Sequence, residues 1–211
     1  PHGAPGTLYV ANHAGYIDVF VLGSLLDASF VAKSDVAGWP VFGKLAELQD
    51  TLFFERDPRK APEQIAVLRE LIGAGRSLIF FPEGTSTDGV RVQPFRSTLL
   101  AAGDTPGAIA QAVTVAYTRY EDQPMTPADR DHYAWYLPMT FLGHFLGGLG
   151  LGRGEVEVHF HSPRRAADTG DRKALAHTLE ADVRTGLEAA LGDAALATNP
   201  ATPRPRASQA P

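Results

Sequence analysis

The 211-residue chain contains no cysteine. Disulfides, thiolate metal sites and cysteine nucleophiles are excluded together, so any chemistry rests on oxygen and nitrogen. An excess of positive charge is missing too. The formal net charge is -5, which leaves no global field to hold nucleic acid or to coat an anionic membrane. Contact with phosphate must come from a few placed arginines. There is no signal-peptide pattern and no clean membrane-spanning run. The nearest approach to one is the uncharged stretch from Ala134 to Gly152, in which Pro138, Gly143, Gly147, Gly148, Gly150 and Gly152 weaken a spanning helix and His144 would need a partner in lipid. The stretch reads as a helix and loop, buried in the core in the plain reading and touching a membrane interface in the alternative.

What is present is an ordinary globular balance, 44% hydrophobic and 20% charged residues, which suits a single folded core. Residues 1–191 read as one domain. After Leu191 the chain turns to Ala, Thr, Pro and Arg without period, so residues 192–211 read as a disordered tail. The opening on Pro1, with a strand-like run almost at once, reads as a sequence trimmed at its start. No internal repeat is present.

Short apolar runs alternate with helical patterns, the signature of an α/β domain with a mostly parallel central sheet flanked by helices. Strands are expected at 7–12, 29–33, 51–54, 77–81, 112–117 and 155–161. In the last, strict alternation puts Val156, Val158 and Phe160 toward the core and Glu155, Glu157 and His159 outward, as in an edge strand. Helices are expected at 18–26, 41–48, 62–74 and 171–191. Pro62 suits the first turn of the third, Ile65, Leu68, Leu71 and Ile72 share a face, and Gly73 and Gly75 end it.

Three polar blocks follow apolar runs, where an α/β sheet places its ligand crevice. The first is Asn12-His13-Ala14-Gly15-Tyr16-Ile17-Asp18. On a regular helix, side chains five residues apart point about 140° away from each other, so contact between His13 and Asp18 requires an irregular segment between them. Gly15 permits one. The carboxylate would then hold one imidazole nitrogen and leave the other as a base. This is a triad without its nucleophile, which points to direct transfer by attack of a substrate hydroxyl.

The second block is Phe53-Phe54-Glu55-Arg56-Asp57, with Arg59 and Lys60 close behind. The planar fork of Arg56 suits phosphate or carboxylate, while a solvated charge cluster is the plain alternative. The third is Phe80-Phe81-Pro82-Glu83-Gly84-Thr85-Ser86-Thr87-Asp88-Gly89, after the most apolar strand. Amides near Gly84 can donate to an oxyanion; a simple turn is the alternative.

In order and spacing these blocks resemble the motifs of the glycerolipid acyltransferase family, often called PlsC-like. The family pattern Asn-His-x-x-x-x-Asp falls on Asn12, His13 and Asp18, its aromatic-acidic-arginine block on Phe54, Glu55 and Arg56, and Phe-Pro-Glu-Gly-Thr on Phe81 to Thr85. The resemblance implies a glycerol-phosphate acyltransferase-like fold, His13 as base with Asp18 as its partner, and substrate binding by Asn12, Phe54, Glu55, Arg56, Glu83, Gly84, Thr85 and Ser86. It further implies acyl carrier protein or coenzyme A thioester as cosubstrate, no metal and no tightly bound cofactor, and a membrane-associated protein at the cytoplasmic face.

Two departures bear on the acceptor. Ser86 stands where many relatives that use lysophosphatidic acid carry arginine, and Thr114 stands where the family places a proline. The stretches Phe30 to Pro40 and Gly84 to Gly89 look more like the branch that includes lyso-ornithine lipid acyltransferases. The leading expectation is acyl transfer to the sn-2 hydroxyl of lysophosphatidic acid, giving phosphatidic acid. Lyso-ornithine lipid or another lysophospholipid is the alternative acceptor. A hydrolase using Ser24, Ser34, Ser77, Ser86 or Ser97 lacks a Gly-x-Ser-x-Gly elbow, and an inert lipid-binding module has no need of the His13 and Asp18 pair. His159 and His161 share a strand face without a third ligand nearby and read as solvated. His2, His132, His144 and His177 receive no role.

Overall fold

The computed structural model describes residues 4–34, 50–55, 57–136, 138–148, 150 and 152–197. The strands are β1 (Thr7–Ala11), β2 (Ser29–Lys33), β3 (Leu52–Phe54), β4 (Leu78–Phe80), β5 (Ile109–Tyr120), β6 (Gln123–Pro124), β7 (Gly154–Phe160) and β8 (Arg164–Arg165). The helices are α1 (Ile17–Leu25), α2 (Ala61–Gly73), α3 (Pro127–Arg130), α4 (Phe141–Gly148) and α5 (Arg172–Ala197). The sheet runs β3-β2-β4-β1-β5-β6, with β7 and β8 also paired to β5. All pairings among β1 to β4, and that of β1 with β5, are parallel; β6, β7 and β8 run antiparallel to β5. The expected α/β class and mostly parallel sheet are therefore present.

Alternation along the central strands builds two cores, one on each sheet face, because successive side chains point to opposite sides. Leu8 and Val10 of β1, Leu78 and Phe80 of β4, and Ala110, Ala112 and Ala116 of β5 pack with Leu68 and Ile72 of α2 and with Leu175, Leu179, Val183 and Leu187 of α5. Tyr9, Ala11, Ile79, Val113, Val115 and Tyr117 face the other way, toward Leu22 of α1 and Ala134. Helices thus cover both faces, as nearly continuous apolar strands demand.

Several expectations meet the structure directly. The β7 residues Val156, Val158 and Phe160 pack against the second core, while Glu157 and His159 are exposed. The helix expected at 41–48 lies outside the described residues. α5 continues past Leu191 to Ala197 across Gly192, which is non-helical at φ 68° and ψ 170°. The plain reading of the uncharged stretch is corrected: α4 has no buried residue, and Leu142 and Leu146 are 65% and 57% exposed. Its other face rests on Tyr16 through Phe141, His144 and Phe145. Eight residues with three glycines cannot both cover a sheet and pack on a single tyrosine loop, so half of the helix faces outward. No helix among the described residues is long and apolar enough to cross a membrane.

Thr114 is fully buried at the centre of β5. Its hydroxyl donates to the Val183 carbonyl of α5 (3.1 Å) and stands 2.9 Å from His161 Nε2. A hydroxyl has one hydrogen, so His161 Nε2 is the donor in the second contact. A proline at 114 would lose this tie between strand and helix.

Candidate active site

β1, β2, β3 and β4 run parallel, so His13, Lys33, Glu55 and Glu83 all follow or close strands at one edge of the sheet. That edge is where a parallel sheet leaves its crevice. Lys33, at the end of β2, is a cation on this edge to which the motif reading gave no role.

The irregular segment required between His13 and Asp18 is present. β1 ends at Ala11, and Asp18 N–H donates to the Gly15 carbonyl (3.1 Å) as α1 begins. The Ala14 carbonyl accepts from Trp135 N–H at 2.8 Å, so Trp135 lies hard against the turn. A Cβ at Gly15 would stand 2.8 Å from the Trp135 nitrogen. Gly15 is needed for this close approach rather than for an unusual φ.

His13 Nδ1 is 2.8 Å from Asp18 Oδ2. The same oxygen accepts from the amides of Ala14 (2.7 Å) and Gly15 (3.0 Å), and Oδ1 accepts from the Tyr117 hydroxyl (2.7 Å). Asp18 is wholly buried, and these four donors are what make a buried carboxylate tolerable. With Nδ1–H donated to Asp18, Nε2 carries the lone pair. The ring stacks on Phe81 with centroids 4.2 Å apart and an interplanar angle of 23°. Its side chain is 21% exposed, so one part of it reaches the surface.

The third block grips the first through the backbone of His13. Glu83 Oε1 accepts from His13 N–H, and the His13 carbonyl accepts from Thr87 N–H at 2.9 Å. Glu83 Oε2 accepts from Gln93 N–H at 2.7 Å. Glu83 is 2% exposed, and burial pushes its carboxyl up to about 8 against the opposing pull of these two amides. Glu83, expected among the substrate-binding residues, is buried with one backbone amide on each oxygen, and through them it ties the His13 turn to the Gln93 segment.

Asn12, also expected among the substrate-binding residues, is placed in the sheet. Its Nδ2 donates to the Val115 carbonyl and its Oδ1 accepts from Val115 N–H, both at 2.8 Å, at 1% exposure. The carboxamide continues the β1 to β5 ladder by one rung instead of facing a ligand.

The second block sits apart. Phe54 packs on the first core from the edge strand β3. Glu55 pairs with Lys60 at 2.7 Å, and Asp57 with Arg59, in side chains that are mostly solvated. For these residues the plain reading, a charge cluster, is the one the geometry supports. Arg56 lies outside the described residues. In the third block Gly84 takes φ 71° and its amide is spent on the Phe81 carbonyl. Thr85 is exposed and Ser86 partly so, and their amides take no bond among the described residues.

Tyr117 is the residue that motif spacing missed. It is 4% exposed, 99 positions from its partner, and burial followed by the charge of Asp18 raises its phenol well above the ordinary value. A tyrosine at an inward position of an apolar strand was the one available signal, since a buried phenol requires an acceptor.

A sequence profile of the family described as Acyltransferase matches residues 2–118. The lyso-ornithine lipid O-acyltransferase of Rhodobacter capsulatus is 44% identical over 183 residues, covering 84% of this chain and 64% of its own length. That of Brucella abortus is 38% identical, covering 87% and 72%. The 1-acyl-sn-glycerol-3-phosphate acyltransferase of Neisseria gonorrhoeae is 30% identical, covering 87% and 70%. Among solved structures, the 1-acyl-sn-glycerophosphate (LPA) acyltransferase PlsC from Thermotoga maritima shares the fold, with a TM-score of 0.60 at 22% identity over 87% of this chain and 65% of that one. The chain thus spans just under two thirds of the Rhodobacter relative.

Proposed function

Because the chain belongs to the acyltransferase family, we propose that it moves a fatty acyl group from a thioester of acyl carrier protein or coenzyme A onto a free hydroxyl of a lysolipid. The observation that carries this reading is the 2.8 Å contact of His13 Nδ1 with a buried carboxylate, which leaves Nε2 as the free nitrogen of a partly exposed ring. His13 Nε2 takes the acceptor's hydroxyl proton, and the oxygen attacks the thioester carbonyl. The amides of Thr85 and Ser86 stabilise the resulting oxyanion. Collapse of the tetrahedral intermediate expels the thiolate, which recovers the proton from His13. The acyl group passes directly between substrates, and no serine is acylated.

Lyso-ornithine lipid is the first acceptor in this reading and lysophosphatidic acid the second. Ser86 in place of arginine supports that order, as do the higher identities to relatives named for lyso-ornithine lipid. Arg56 keeps its proposed part in holding the acceptor. The outward leucines of α4 and Phe20 of α1, 44% exposed, support contact of this end with a membrane surface, from which a lysolipid would enter. The test offers both lysolipids together with an acyl carrier protein thioester and follows each by mass spectrometry. Faster consumption of lyso-ornithine lipid supports the order given, faster consumption of lysophosphatidic acid reverses it, and consumption of neither defeats the activity.

A further inference from the structure

The guanidinium of Arg96 lies directly over Gly84: Cζ is 3.0 Å, and Nε and Nη1 are 3.1 Å, from the place a Gly84 Cβ would occupy. Gly84 adjoins Glu83, whose carboxyl group holds the backbone of His13, so the cation stands on the same loop as the group that anchors the base.

Its backbone is firmly placed. Arg96 N–H donates to the Pro82 carbonyl at 2.9 Å, and the preceding Phe95 is buried in the first core with its N–H on Glu180 Oε2 at 2.9 Å. The side chain itself is exposed and has no acidic partner among the described residues.

That distinguishes it from its neighbours. Arg91 is paired with Asp88 and Arg184 with Glu180, and on the β3 side Lys60 is paired with Glu55 and Arg59 with Asp57. Arg165, which is exposed, belongs to β8, paired with the start of β5 at Ile109 and therefore at the opposite edge of the sheet. An exposed guanidinium on the His13 edge with no acidic partner among the described residues, seated over a glycine whose missing side chain leaves it room, offers a planar fork for an anionic oxygen pair.

We propose that Arg96 binds the anionic headgroup of the lysolipid acceptor, a phosphate or a carboxylate, and so sets the acceptor's position relative to His13. This rests on the acyl-acceptor reading above. Ser86, too short and uncharged to do this, leaves the task to a side chain reaching the same crest from ten residues further along.

Equilibrium binding separates this proposal from the catalytic reading, because it needs no turnover. Short-chain lysophosphatidic acid, lyso-ornithine lipid and an uncharged monoacylglycerol of equal chain length are titrated calorimetrically, below their micelle concentrations, into the protein and its Arg96→Gln and Arg96→Lys variants. Unfolding midpoints serve as the control for folding. Arg96→Gln is expected to weaken binding of lysophosphatidic acid, through its phosphate, or of the zwitterionic lyso-ornithine lipid, through its carboxylate, by about 10- to 100-fold, the size of a hydrogen bond to a charged group, with monoacylglycerol unchanged and Arg96→Lys intermediate. The lipid that responds identifies the headgroup. Equal weakening of all three lipids, no weakening of either lipid that carries an acidic group, or no preference of the unaltered protein for one of these over monoacylglycerol overturns the assignment. Headgroup-dependent binding without acyl transfer would leave Arg96 in place and remove the proposed activity instead.

Discussion

The Tyr117 hydroxyl donates to Asp18 Oδ1 at 2.7 Å, across the second core and from a strand 99 residues away in sequence. This bond fixes the carboxylate from the side opposite His13, so the orientation of the imidazole depends on β5 as much as on its own loop.

Tyr117→Phe keeps the ring and removes the donor. A buried carboxylate oxygen losing its partner costs about 1 to 3 kcal/mol of stability. The expected outcome is a lowered urea midpoint together with a loss of about 10-fold in kcat, one hydrogen bond to a charged group, and little change in acceptor KM. Unaltered kcat in this variant would show that Asp18 is held well enough without the phenol.

Gly15→Ala places a methyl 2.8 Å from the Trp135 backbone nitrogen. Backbone must move to relieve it, at a cost of about 1 to 3 kcal/mol, and the turn that brings His13 to Asp18 moves with it. Stability and turnover are expected to fall together; a variant with normal midpoint and normal rate would mean the turn tolerates the methyl.

Glu83 gives the protein a pH-dependent stability. Its carboxyl is raised from 4.5 to about 8, so the folded state holds a proton that the unfolded state has released between those values. Stability from this group is complete below about 4.5 and is lost as pH rises toward 8, with a slope of up to about 1.4 kcal/mol per unit. Urea unfolding at pH 5, 6.5 and 8 should show the decline in the unaltered protein and a flatter profile in Glu83→Gln. Parallel profiles would remove Glu83 as the source.

Leu142→Ser with Leu146→Ser alters the exposed face of α4. Stability is expected to change by less than about 0.5 kcal/mol, while affinity for vesicles of anionic and zwitterionic phospholipid drops about tenfold. Unchanged vesicle binding would locate membrane contact elsewhere.

Much of this was legible in the sequence. Strand positions followed from short apolar runs, and the alternation in β7 predicted its half-exposed place. Local spacing also identified His13 and Asp18, because both belong to one turn. What was not legible depends on distance in the chain. Asn12 and Glu83 look like polar groups available to a ligand until Val115 and Gln93 are found beside them, and Tyr117 has no place in any motif until Asp18 is found beside it. α4 looked like core because it lacks charge, yet one of its faces rests on Tyr16 while Leu142 and Leu146 stand exposed on the other.

The most direct test is His13→Ala, assayed by thiol release from an acyl carrier protein thioester in the presence of lyso-ornithine lipid or lysophosphatidic acid. With the unfolding midpoint checked for integrity, turnover should fall at least about 100-fold for either acceptor. A folded variant that still releases thiol at a rate near that of the unaltered protein would contradict the role given to His13 and the direct-transfer mechanism built on it.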